Sequence, residues 1–425
     1  MVFLCYFSRV KPNLILLLLG LFFLLNQAQA QKLSPLITLG KPEWNCNEPT
    51  VCIDPKDSDL VWVSCNNNRL FRVNYLMQYQ HVELESEHGV RGDLVLYALA
   101  NNQISCTHLA KHPEKRSPDY YDRIVFQVNK KGLKKWSKGV GIGFNGKMQD
   151  KPWVHQNKHQ TARFKHRIYV SWTEFDRYES SAPEDSSRIK IAWSDDGETF
   201  SNPVTVSDLS GNCLDGDSTV EGATTVSDSQ GNVYMAWAGY ERIYFDKSLD
   251  GGQTWGADQR IGNAPQGWDL KVPNFMRTNG LPFLSIDSSN NLYLITAFED
   301  SSLNRVFFTR SKDLGKTWDD FFPLQQAPAA HYVCPHAIVD PITQTYYAIY
   351  YKIEANKVDV LLSYKKQHEE GFHTLKVSDE PFELSNPKRF LGDYISVDAR
   401  NNTLALAWTA LENGFAVVKF RKMKF

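Results

Sequence analysis

The sequence predicts an all-β fold: six four-stranded antiparallel blades set around a central channel, a six-bladed β-propeller, over residues 31–425. Three observations carry this reading. Six segments repeat one plan: a strand of β-branched and aromatic residues, a polar turn led by Asp or Asn, and a second strand rich in Val, Tyr and Trp. A second motif, Ser-x-Asp-x-Gly-x-Thr-Trp, occurs at 248–255 ("SLDGGQTW") and 311–318 ("SKDLGKTW"), with a near copy at 193–200 ("WSDDGETF"). No helical period competes, and repeating units of about 50–60 residues, each one small sheet, are the mark of a radial array.

The chain opens differently. Arg9 and Lys11 precede the apolar run "LILLLLGLFFLL", and "AQA" follows at 28–30. This is the pattern of a secretory signal peptide over 1–30, cleaved after Ala30, and it implies a secreted protein (extracellular or periplasmic). The run is shorter than the ~20 residues that span a bilayer. No later stretch is apolar enough to do so, and no membrane span is expected once the leader is removed. Cys5 leaves with it, and the mature chain keeps Cys46, Cys52, Cys65, Cys106, Cys213 and Cys334. An even count in an exported chain permits disulfides. Cys65 ends a strand beside which "QISCTHL" can return, so Cys65–Cys106 is the expected pair, ahead of Cys46–Cys52. No CxxC spacing suggests zinc, and no metal ligands are assigned.

The six repeats begin at "EPTVCIDPKDSDLVWVSC" (48–65), "DKPWVHQN" with "RIYVSWTEF" (150–175) and "EGATTVSDSQGNVYMAWAGY" (221–240). They continue with "LPFLSIDSSNNLYLITAFED" (281–300), "CPHAIVDPITQTYYAIYY" (334–351) and "GDYISVDARNNTLALAWTAL" (392–411). Their turn anchors, Asp54, Asn157, Asp228, Asp287, Asp340 and Asp398, are separated by 103, 71, 59, 53 and 58 positions. The short gaps suit four strands with turns, and the long first gap is assigned to an insertion within 69–115. "SPLITLG" (34–40) is expected to complete the last blade, whose strand "FAVVKFRK" ends the chain. In the second motif, Asp195, Asp250 and Asp313 are expected to accept turn N–H groups. Gly197, Gly252 and Gly315 allow the unusual φ, and Phe200, Trp255 and Trp318 pack back between sheets. These boxes belong on the turn from third to fourth strand. "NKKGLKKW" (129–136), with Lys131 where Asp is expected, is a degenerate copy assigned to the first blade.

These boxes resemble the Asp-box, or BNR, repeat, and over most of its mature length the chain is similar to the sialidase-like propeller superfamily. The resemblance implies a six-bladed ring and, for an active member, an arginine triad, an Asp acid/base and a Tyr nucleophile helped by Glu. The family's early Phe/Tyr-Arg-Ile-Pro motif is missing; the nearest string is "LFRVNY" (70–75).

In a propeller the inner strands start at one mouth of the channel and the boxes lie at the other end. Function is therefore expected just before the inner strands, where Glu48, Asp150, Glu221 and Asp393 stand with Trp153, Arg277, His336 and Tyr394 nearby. Such carboxylates can serve as general acid and base, offer hard oxygen ligands to Ca2+, or simply cap strand ends. Were the activity of sialidase type, Tyr394 would be the nucleophile, Glu221 its base and Asp150 the acid, while Arg277 would grip the substrate carboxylate. Glu48, Asp393, Trp153 and His336 would complete substrate binding. With 47 basic against 48 acidic residues, no electrostatic footprint for nucleic acid exists. Three readings stay open: a secreted exo-glycosidase, a non-catalytic propeller binding a glycan, glycoprotein or other protein, and a structural ring.

Overall fold

A computed structural model describes residues 32–111, 121–130, 135–262, 268–325 and 330–425. The expected signal peptide and Lys131 lie outside them. The architecture is a β-propeller of seven blades, not six, each an antiparallel sheet of four strands or more. From blade 1 to blade 7 the inner strands are Thr50–Ile53, Gly92–Ala98, Met148–Gln156, Glu221–Ser227, Phe283–Ile286, His331–Val339 and Ser396–Arg400. A two-stranded ribbon, Asp269–Leu270 with Thr278–Asn279, precedes blade 5.

The long first gap thus holds a whole blade rather than an insertion. Blade 2 runs through Ile104–Ala110, Arg123–Val128 and Val140–Ile142 after its inner strand. It escapes the repeat because Leu99 stands in the anchor position. The Leu99 backbone still closes the turn, its N–H donating to the Gln103 carbonyl (2.8 Å) as that of Asp228 does to Asn232 (3.0 Å). Gln156 of blade 3 supplies the missing acceptor, taking the Ala100 N–H at 2.7 Å. The degenerate box therefore follows the third strand of blade 2, where Asn129 bridges to Trp136.

Ring closure is as expected. Ile37–Leu39 pairs with the final strand Phe415–Lys424, and Lys32–Leu33 pairs with its end, so both ends of the described chain share blade 7. Asp398 of blade 7 also accepts the Ile53 N–H of blade 1 (2.7 Å).

The turns at the far rim show why Asp recurs. Asp228 accepts the N–H groups of Gln230, Gly231 and Asn232 at 2.8–2.9 Å and the Tyr234 hydroxyl at 2.8 Å. Asp287 repeats the pattern with Ser289, Asn291 and Tyr293. In the boxes, Asp250 accepts the Gln253 and Thr254 N–H groups (both 2.9 Å) while Ser248 Oγ accepts that of Gly252 (2.8 Å). Ser311 and Asp313 do the same. In the third box the roles fall one residue later than expected. Ser194 and Asp196, not Trp193 and Asp195, hold this shorter turn through the Gly197, Glu198 and Thr199 N–H groups (2.8 Å). Asp195 instead takes both prongs of Arg167 (2.7 and 2.8 Å). The closing aromatics pack on the preceding blade: Phe200 on Phe126 (5.2 Å) and Trp318 on Phe245 (5.4 Å). Gly315 is forced by that packing, since at φ +82° a Cβ would lie 2.3 Å from Phe245.

Apolar side chains from facing blades fill the seams, with Trp172, Trp237 and Trp408 almost wholly buried; burying a large apolar side chain contributes roughly 1.5–3 kcal/mol. All six cysteines are buried and unpaired, so neither expected disulfide is formed. Cys65 and Cys46 instead share one buried apolar cluster. Cys52 and Cys106 share the seam between blades 1 and 2. Among the described residues no helix is long and apolar enough to cross a membrane.

Candidate functional site: an acidic channel mouth

The inner strands enter the ring through a repeated kink. Glu48, Asp93, Lys151, Gly222, Cys334 and Gly392 all have positive φ (47–94°). The pairing register shifts at Gly92/Val95, Asp150/Trp153, Glu221/Thr224 and Val333/His336. A β-bulge of this kind re-aims the side chains beside it. Here it gathers charge at the mouth. At Gly392 (φ +94°) a Cβ would sit 2.4 Å from Glu48, so only glycine lets blade 7 approach blade 1 this closely.

Lys151 is the centre of the cluster. Its Nζ is 3.0 Å from Glu221, 3.0 Å from Asp393 and 3.7 Å from Asp150. Arg277 lies between the Trp268 and Phe390 rings (5.8 and 4.8 Å). Its guanidinium grips both oxygens of Asp393 and donates to Asp215 at 2.6 Å. Tyr178 donates to the same Asp215 oxygen at 2.5 Å. The Asp393 N–H donates to Glu48 (3.0 Å), and Asn66 bridges Glu48 to the Asp93 N–H. All four sequence-selected acids therefore meet.

Six carboxyl groups (Glu48, Asp93, Asp150, Asp215, Glu221, Asp393) surround two cations, and burial splits their protonation. Desolvation, then the charge of Asp393, pushes Glu48 up to about 7. Burial likewise raises Asp93, Asp150 and Glu221. Asp393 goes the other way: burial opposes its charge, but Lys151 and Arg277 outweigh it and hold the group down to about 2. Burial alone would lower Lys151, yet Asp393, Glu221 and Asp150 raise it above the ordinary lysine value. One buried face thus carries carboxyls poised to donate a proton beside one held ionised.

Below the charges lies an aromatic layer. The Trp153 ring is 5.1 Å from Phe283, 5.6 Å from His336 and 6.0 Å from Tyr394. His336 Nδ1 accepts the Val397 N–H (3.3 Å), and burial lowers its pKa to about 3, keeping the ring neutral. The Tyr394 hydroxyl is buried without a hydrogen-bond partner. Burial, then Asp93, Glu48 and Asp393, raises its pKa above that of a free phenol. No hydrogen bond joins Tyr394 to Glu221 among the described residues. The fork of Arg277, which the sequence reading reserves for a substrate carboxylate, is closed on Asp393, because that acid reaches it from blade 7.

Three members of the cluster escape sequence reading. Lys151 adjoins Asp150 in "DKPW" and is a base among acids; the x-Pro step shared by Glu48, Lys151 and Cys334 is the signal that marks it. Asp93 is hidden with its blade. Asp215 lies in the loop between blades 3 and 4, outside any repeat. No three His, Cys, Asp or Glu side chains among the described residues are arranged to hold a metal ion.

No protein-family profile matches the chain, and no curated protein matches it in sequence. Solved structures do. A protein of unknown function from Dyadobacter fermentans is 10% identical, with a TM-score of 0.52, over 93% of this chain and 100% of that one. A Hadza microbial sialidase is 12% identical (TM-score 0.50) over 86% of this chain and 73% of its own. The NanB sialidase from Streptococcus pneumoniae is 8% identical (TM-score 0.50), with 89% and 84% covered. At such identities the likeness is one of fold.

Proposed function

We propose that this chain is a secreted propeller that acts on a glycan at the acidic mouth, as a glycoside hydrolase with Asp150 as proton donor. The observation that carries the reading is the split protonation around Lys151: Asp150 and Glu221 raised by burial, Asp393 lowered by its cations. Glycosidic cleavage asks for a carboxyl that donates to the leaving oxygen and a second group opposite it. Asp150 suits the first role because its side chain stays 11% exposed. Asp215, which keeps one oxygen without a partner, suits the second. That glycan-acting enzymes, two sialidases among them, share the fold supports the theme. The leader sequence supports export.

The sialidase-type assignment is the weaker version of this reading. Its nucleophile Tyr394 touches no base, and Arg277 is engaged by the chain's own acids. One observation favours non-catalytic glycan binding instead: Arg277 and the aromatic layer already fill the axis. A panel of aryl glycosides, assayed with and without Ca2+, separates these. Turnover by wild type that is lost in Asp150→Asn, with binding kept, supports hydrolysis. Binding without turnover in both proteins supports the second reading, and neither binding nor turnover overturns the glycan assignment.

A further inference from the structure

The mouth holds six carboxyl groups against two cations, and several of their oxygens lack a partner. Of the two cations, Lys151 is shared among Asp150, Glu221 and Asp393, and Arg277 is closed on Asp393 and Asp215. An incoming anion would have to compete with these acids for either cation. The acceptors are the opposite case. Both carboxyl oxygens of Glu221, a residue with 0% exposure, lack a partner in hydrogen-bond geometry, although Lys151 Nζ stands 3.0 Å from one of them. Asp215 Oδ1 and the Tyr394 hydroxyl are buried and unpartnered as well. Buried polar atoms without partners are costly, and a group that satisfies them here must bring donors, not negative charge.

Resting on the reading above, we propose that the mouth selects an uncharged or amino sugar, which presents hydroxyl or ammonium donors, and rejects sugars that carry a carboxylate. A sugar carboxylate would enter beside Asp150 and Asp215 with both cations already engaged by the chain's own acids, so its charge would be desolvated without compensation. Hydroxyl donors would give the Glu221 oxygens and Asp215 Oδ1 the partners they lack. The partly exposed Phe390 ring, flanking Arg277, offers an apolar surface beside them.

The test is calorimetric binding of the full mature chain to matched pairs: methyl glucoside with methyl glucuronoside, methyl galactoside with methyl galacturonoside, plus glucosamine and sialyllactose. The neutral or amino member should bind at least about tenfold tighter than its acidic counterpart, a difference of about 1.4 kcal/mol. Glu221→Gln combined with Asp215→Asn should narrow that ratio to within about threefold. Asp150→Asn, which keeps Glu221, Asp215 and Asp393 around the two cations, should narrow it in part and serves if the double variant does not fold. An acidic member that binds tighter overturns the inference and leaves the glycan reading standing. Discrimination unchanged in the variants also overturns it, because the rejection would then arise elsewhere. Failure of every sugar to bind overturns both.

Discussion

Glu221 and Asp228 stand just across one strand from each other: Glu221 opens Glu221–Ser227, and Asp228 follows its last residue. Both are wholly buried acids. Asp228, at the far rim, collects backbone N–H groups, the Asn232 side chain and a tyrosine hydroxyl. Glu221, at the mouth, has a lysine nearby and no hydrogen bond. Equal burial with opposite partnering separates two uses of a carboxylate. At the far rim it replaces the backbone partners that a tight turn leaves unmade. At the mouth it stays under-satisfied, and so remains able to exchange a proton or take a donor from outside.

The hardest blow to this contrast is Lys151→Met. Removing the one ammonium that compensates three buried acids should cost about 3–5 kcal/mol, read by urea denaturation at pH 7. Adding Glu221→Gln should recover part of it. A loss below about 1 kcal/mol would mean that the acids are neutral without their lysine and that the mouth is no charge cluster.

Acidity sharpens the contrast next. Glu48 is raised from 4.5 to about 7, so the folded chain holds that proton more tightly than the unfolded one. Its stabilising effect is complete below pH 4.5 and is lost as pH rises through 7, by an amount on the order of 3 kcal/mol. Glu48→Gln should flatten the stability profile between these values. Asp393, lowered to about 2, acts with the opposite sign: its contribution is present above 3.8 and is lost as pH falls toward 2. A wild-type profile that rises from pH 5 to 7 would contradict the Glu48 assignment.

At the other end of the strand, Asp228→Ala should cost about 2–3 kcal/mol through the orphaned turn donors and leave glycan affinity unchanged. Altered affinity at constant melting temperature would place function at the far rim. The smallest effect belongs to Tyr394→Phe. Its hydroxyl makes no bond, so stability should move by no more than about 0.5 kcal/mol, while binding or turnover falls if the mouth is the site. A large destabilisation would reveal a hydrogen-bond partner for that hydroxyl.

Much of this was legible in the sequence, and the misses have physical causes. Alternating strands and Asp-led turns announce blades because both follow from local chemistry. Blade 2 was not counted because its turn is held by a backbone bond at Leu99 and a glutamine from the next blade, and a side chain borrowed across a seam leaves no mark in the local string. The shift from Asp195 to Asp196 has a similar origin: a turn shortened by one residue keeps its hydrogen bonds and moves its letters. At the mouth, Glu48, Asp150, Glu221 and Asp393 were found by position alone. Arg277 joins the same cluster through Asp393, a partner 116 positions away that no local string announces.

The shared seventh blade bears on how the ring is made. Ser34 meets Lys422, 388 positions along the chain, and the outermost strand of that blade comes from the beginning of the described chain while the other three come from its end. Six sheets can assemble from neighbouring segments, but the last waits until Phe415–Lys424 has been made. Bringing ends that far apart together carries an entropic cost of roughly 5 kcal/mol. Such non-local pairing makes folding slow, and the joint between Ile37–Leu39 and Phe415–Lys424 is where amide hydrogen exchange should first report opening of the native ring.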